Sequence, residues 1–519
     1  MRNTNGTARC ATRLAAILAL VAGGLLAGGC ASLRPAGPAD GAQPSGDALA
    51  ARCDRAYAAL DRAVADAGVG DAMAARVAGF PFLRVDRFLA SYRDSLTGAG
   101  SFDFWVAAMA RLDREARAIE IANLPVATTR ALRGELAREG FGDLLPVPLL
   151  EGCADALGER DLATADGRAR LVAAAVVPDD YVAWMRVAGL YPLTALPFAL
   201  GVRRYEAEVR AAFAVPLDAR PATGRLRSYR PRDPAIVEPG ELRAMLDRAR
   251  RNPLGIPVPS PEDLDRLFPS FAPIHVVAER DDDDRIGRPA WRPDGSPGVD
   301  TTAPVVFTRV AHTRVSGEAL LQLVYTAWFP ARPPASAFDP LAGRLDGIVW
   351  RVTLGADGTP LLYDTIHACG CYQLFFPTER LAPRPAAPTI EEGALIPQAP
   401  EPVAGRTRLA IRIESGTHYV RRISADTGDP ADAVGYALSP DDALRSLPLA
   451  DGRRRSLYGP DGLVAGSERA ERFLFWPMGI ASAGAMRQWG RHATAFVGRR
   501  HFDDPDVIER YFHLRERER

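Results

Sequence analysis

Lysine is absent from this chain of 519 residues; all 64 basic side chains are arginine. That absence excludes a phosphate-binding loop ending in Gly-Lys-Ser/Thr, a Schiff-base lysine and a Ser-Lys catalytic pair. Histidine is scarce, at seven, and so is cysteine, at six. The Gly-x-Ser-x-Gly, His-Glu-x-x-His and Gly-x-Gly-x-x-Gly patterns are missing, which removes the commonest hydrolase, metalloprotease and dinucleotide signatures. Net charge is also lacking: it is zero. No basic face or tail stands out, which argues against nucleic acid as a partner. What is present is the balance of a soluble globular protein, 47% apolar and 25% charged. The length implies two or three domains.

The first thirty residues are distinct. Arg2, Arg9 and Arg13 precede an apolar run from Leu14 to Ala27, and small residues lead to Cys30. Fourteen apolar residues fall short of the ~20 that span a bilayer. The pattern reads as a secretory signal. The ending Leu26-Ala27-Gly28-Gly29-Cys30 resembles the lipobox of bacterial lipoproteins, a resemblance confined to residues 1–30. It implies cleavage after Gly29, lipidation of the Cys30 thiol and acylation of the new amino terminus. The implied location is the bacterial cell envelope, lipid-anchored and facing the periplasm. Ala31 in place of aspartate favours the outer membrane over the inner. A plain cleaved signal is the alternative. Residues 30–46, rich in Pro, Gly, Ala and Ser, read as a flexible tether.

Export leaves four other cysteines to account for in an oxidising compartment: Cys53, Cys153, Cys369 and Cys371. Cys10 departs with the signal. Cys53 and Cys153 lie in helical patterns, ARCDRAYAAL and LLEGCADALGERDL, and are expected to form a disulfide.

The expected fold class is α+β. A helical domain, 47–215, precedes a Pro- and Arg-rich linker, 216–261, and a mainly antiparallel β domain with C-terminal helices, 262–519. In the first, apolar residues recur at three- and four-residue spacing. In the last, three pairs of period-two runs flank Val315-Ser-Gly-Glu318, Gly355-Ala-Asp-Gly-Thr359 and Ser415-Gly-Thr417, each a hairpin signal. The uncharged stretch Val187 to Val202, with Pro192 and Pro197, is read as a buried helical corner. Contact with the membrane interface is its alternative.

The densest chemistry is Ile-His-Ala-Cys-Gly-Cys-Tyr-Gln, residues 366–373. On an extended strand His367, Cys369 and Cys371 share one face. Three readings stand: a metal site for zinc or copper with His418 as fourth ligand before His312 or His275, a labile Cys-x-Cys redox pair, or buried structural thiols. A second cluster, His492, His501, Asp503 and Asp504, could hold a divalent metal or cap a helix at Asp504. Asp281 to Asp284 reads as a solvated acidic loop, without EF-hand spacing. Two roles remain open. One is a non-enzymatic envelope protein, bound to the membrane through its lipid and to another envelope component. The other is a metal- or thiol-dependent activity centred on His367, Cys369 and Cys371.

Overall fold

In the computed structural model, residues 46–142, 146–216, 223–400, 408–426, 428 and 432–515 are described. The signal, Cys30 and the tether lie outside them. The described residues begin with helices: α1 (Gly46–Ala67), α2 (Ala99–Ala122), α3 (Val126–Arg138), α4 (Pro146–Asp161), α5 (Ala165–Ala174), α6 (Ala183–Ala188) and α7 (Tyr191–Ala214). Local chemistry sets several ends. Thr164 accepts a hydrogen bond from the Gly167 N–H at 3.0 Å, capping α5. Gly68 follows α1 in the left-handed region, where glycine has no steric cost. The apolar faces of α1, α2 and α4 meet around Tyr57, Leu60, Trp105, Met109, Leu150 and Leu157. Cys53 and Cys153 are bonded across this core, with Cα atoms 5.2 Å apart, as expected.

A ten-stranded sheet follows. Its strands are β1 (Arg225–Pro231), β2 (Ile274–Glu279), β3 (Val305–Val315), β4 (Glu318–Arg332), β5 (Gly343–Leu354), β6 (Pro360–His367), β7 (Leu374–Pro377), β8 (Leu409–Ile413), β9 (Val420–Ala425) and β10 (Val434–Pro440). Their spatial order is β7-β6-β5-β4-β3-β10-β1-β2-β8-β9. Most neighbours are antiparallel; β10 pairs parallel with both β3 and β1, and β2 with β8. The expected α+β class is observed, and the three hairpins fall where the turn residues put them. Ser316 and Gly317 both have positive φ, the geometry of a type I′ turn that matches strand twist. The stretch 216–261 contributes β1 to this sheet and a helix, α8 (Pro239–Ala249).

Alternation along the strands sorts side chains onto two faces. Leu323, Tyr325, Ile348 and Trp350 pack under α8, α9 (Pro261–Phe271) and the end of α7. Val324, Trp328, Val349 and Ile366 pack under the C-terminal segment through Leu444, Val464, Met486 and Phe502. The last helix, α11 (Val507–Tyr511), follows a short α10 (Arg472–Phe475). Asp506, not Asp504, stands at the start of α11; Asp504 accepts from the His501 N–H at 2.8 Å instead.

Candidate functional site

The strand β6 ends at His367, before the two cysteines. The His367 N–H donates to the Cys371 carbonyl at 2.9 Å and the Gly370 N–H to the His367 carbonyl at 2.8 Å, closing a tight turn. Gly370 and Tyr372 both have positive φ, 92° and 62°. A Cβ on Gly370 would sit 2.7 Å from the Ala493 carbonyl oxygen, so the close approach of the C-terminal segment also requires glycine. His492 and the Arg487 N–H contact the Ala368 carbonyl at 3.2 and 2.9 Å, and the Arg487 guanidinium donates to the Cys369 carbonyl at 3.1 Å.

This turn separates the residues that an extended strand would align. His367 lines a cavity of about 10 Å³ with Tyr205, Tyr372 and Tyr419. Cys369 and Cys371 line another of about 10 Å³ with Ile480, Gly484 and Phe496. Each volume suits about one water. The expected metal set of His367, Cys369, Cys371 and His418 is therefore not assembled. Among the described residues no group of three or more His, Cys, Asp or Glu side chains is disposed to hold a metal ion. His312 contacts the Pro257 carbonyl at 2.7 Å, and His275 packs on Tyr436. The second cluster is likewise taken up internally: His501 lies 3.3 Å from Asp179 and 3.4 Å from Asp504, while Asp503 pairs with Arg87 at 3.1 Å.

His367 and His418 do come together, through a residue the sequence did not single out. Asp346 on β5 is fully buried. Its carboxylate accepts from the Gly347 N–H at 2.9 Å and faces His418 Nδ1 at 2.9 Å, His367 Nδ1 at 3.3 Å and Arg469 at 3.3 Å. Burial alone would raise its pKa, but Arg469 and the two imidazoles outweigh that and hold it well below the carboxylate range. The other ring nitrogen of His418 lies 3.4 Å from Asp284. Its ring stacks on Phe329, centroids 4.0 Å apart. Burial opposes the His418 cation, yet the two carboxylates raise its pKa. His367, with burial dominant and Arg332 and Arg469 nearby, is lowered. Asp284 is buried, unlike exposed Asp281 and Asp282; it also accepts from Ser415 Oγ at 2.8 Å and the Gly416 N–H at 2.5 Å. The solvated-loop reading thus fails at Asp284. Leu345, Tyr372 and His418, all non-glycine residues with positive φ, border this network; such strain persists where surroundings over-determine it.

The two thiols are free and buried. The Cys371 N–H donates to Cys369 Sγ at 3.4 Å. A hydrogen bond from the Cys371 thiol, assisted by Arg469, lowers the Cys369 pKa; the same bond and burial raise that of Cys371. Beside them Glu471 is buried, its carboxylate against Gly484, where a Cβ would lie 2.1 Å from Oε1. Burial lifts its pKa to about 7 against the pull of Arg469 and Arg332. Cys369 is thus the more acidic of the two thiols, and Glu471 can hold or release a proton near neutrality. A larger cavity, about 420 Å³, lies away from this network against Phe271, Trp350 and Tyr363. Its arginines are engaged, Arg380 with Asp357 and Arg408 with the carbonyls of Ala235 and Pro269.

The uncharged stretch Val187 to Val202 behaves unlike a buried corner. Trp184, Val187, Leu190, Leu193, Leu196, Leu200, Phe473 and Leu474 are 53–76% exposed. Only the inner side of α7 is covered: Ala195 and Ala199 pack on Met478 and Val497. Among the described residues no helix is long and apolar enough to cross a membrane. Comparison with known proteins gives no matching family model, no similar curated protein and no similar solved structure.

Proposed function

We propose that this chain is a lipid-anchored protein of the bacterial envelope, facing the periplasm from the outer membrane, and that it binds another envelope component. The observation that carries the binding role is the exposed apolar surface of α6, α7 and α10. Eight large side chains at half exposure or more contribute on the order of 100 Å² each, beyond the ~300–600 Å² that monomers commonly leave in one patch. The Cys53–Cys153 disulfide supports an oxidising compartment. The test of the anchor is mass spectrometry of the mature amino terminus. An acylated Cys30 is expected; an unmodified terminus downstream of Ala31 overturns the lipoprotein reading.

A second reading, thiol–disulfide chemistry at Cys369 and Cys371, is favoured by the contact between the two thiols and the flanking Arg469 and Glu471. Alkylation and mass analysis of protein exported to the periplasm tests it. Under this reading the pair titrates between dithiol and disulfide with the applied thiol/disulfide ratio, while Cys53–Cys153 stays bonded. Thiols that remain reduced across the whole range exclude it.

A further inference from the structure

The exposed apolar surface is built with a definite shape. Trp184 and Val187 lie on α6, Leu190 turns the corner with φ 49°, and α7 follows. Leu193, Leu196 and Leu200 are three and four residues apart, so they form one stripe along α7. The next member of that stripe is Arg203. The short α10 adds Phe473 and Leu474, and its Phe475 packs on Phe198 of α7, centroids 5.6 Å apart. The apolar groups therefore stand on a packed platform rather than on a loose loop.

Within the stretch that carries α6 and the first part of α7 the charge has one sign, and Asp179, Asp180, Glu206 and Glu208 flank it. From Tyr181 to Tyr205 the sequence contains Arg186, Arg203 and Arg204 and no acidic residue. Arg204 pairs with Glu208 at 3.0 Å. Arg186 donates to the carbonyls of Met478 and Gly498, which leaves its charge without a carboxylate. Arg472 lies over the Phe473 ring at 4.8 Å. Arg203 and Arg472 make no ion pair among the described residues.

We propose that this surface docks on an anionic phospholipid bilayer, with Trp184, Leu193, Leu196, Leu200, Phe473 and Leu474 entering the headgroup region and the arginines meeting lipid phosphates. Aliphatic and tryptophan side chains beside arginine are the composition of an interfacial contact, and long arginine stems keep the charge at the headgroups. A second copy of the chain is a poorer occupant. A twofold contact would set this arginine rim against itself. A bilayer meets both the apolar and the cationic parts. The inference rests on the envelope reading and makes the bilayer itself the component that this surface binds: only fifteen residues, Ala31 to Ser45, separate Cys30 from α1, a span of at most ~50 Å.

The test uses the compact unit Gly46–Arg519, exported behind a cleavable signal so that neither leader nor lipid contributes. It is mixed with vesicles of phosphatidylcholine and phosphatidylglycerol, or of phosphatidylcholine alone, and floated. Binding to the anionic vesicles is expected, weaker by at least tenfold on the neutral ones and falling with added salt. The variant L193E/L196E/L200E is expected to lose at least tenfold in binding while its thermal unfolding is unchanged, because all three side chains are exposed. R203E is expected to narrow the difference between the two vesicle types. Absence of flotation by the folded wild-type unit overturns the proposal, as does equal binding by the triple variant. So does a wild-type dimer that the triple variant converts to monomer, which would make a second copy the occupant. A vesicle result in either direction leaves the mass of the mature terminus, and hence the anchor, separately measurable.

Discussion

Glu471 couples the buried network to pH. Its folded pKa is raised from 4.5 to about 7, so the folded chain keeps this proton where the unfolded chain has lost it. Stability therefore falls as pH climbs from about 4.5 to about 7 and is level above. The substitution E471Q removes that loss. It is expected to match wild type near pH 4 and to exceed it by up to ~3 kcal/mol near pH 8, measured by urea unfolding. His418 acts in the same direction. Its pKa is raised, so its contribution is complete below its unfolded value of 6.5 and is lost as pH rises through the folded one. Asp346 is the residue that joins the two histidines. D346N leaves the buried Arg469 guanidinium without Asp346 and the two imidazoles without their shared carboxylate, and a loss of ~3–5 kcal/mol is expected in the same assay.

Elements differ in how far they announce themselves in sequence. The hairpins do, because Val315-Ser-Gly-Glu318 and its counterparts are local turn chemistry between period-two runs. The α1–α4 disulfide does, because Cys53 and Cys153 both fall in helical patterns, whereas Cys369 and Cys371 do not. It closes a separation of 100 residues. C53A/C153A is expected to lose up to ~4–5 kcal/mol on the chain-entropy model, read by thermal unfolding. The turn after β6 was only half legible. A glycine inside a strand pattern, as at Gly370, marks a bulge or turn, but its φ of 92° and the nearby Ala493 carbonyl are tertiary facts. G370A is expected to cost ~1–3 kcal/mol through strain and that contact. Asp284 was hidden in a run of four aspartates, because burial of one member depends on His418, more than a hundred residues away. The outward face of α7 deceives for the opposite reason. Composition alone marks Leu193, Leu196 and Leu200 as core, and only the platform beneath α7 shows which side is already filled.

At the scale of the molecule, the helical section and the segment that follows the sheet are joined by buried charge. Arg445 pairs with Asp71 at 2.8 Å, and Arg87 with Asp180 at 2.7 Å and Asp503 at 3.1 Å. The first and last of these pairs tie the helical section to the C-terminal segment, so far-ultraviolet dichroism and tryptophan fluorescence are expected to report one coincident urea transition. Separate midpoints would mean that the helical section melts alone. The sheet itself has a seam. One antiparallel run, β7 to β3, and a second group, β1, β2, β8 and β9, meet only through β10. That bridging strand comes last of the ten along the chain, at Val434–Pro440. A chain delivered from its amino terminus thus exposes two unpaired strand edges, β3 and β1, until residue 440 arrives, and such edges recruit other strands. Productive assembly of this protein is timed by the delivery of a seven-residue strand, and a chaperone that shields β3 and β1 in the interval would govern its yield.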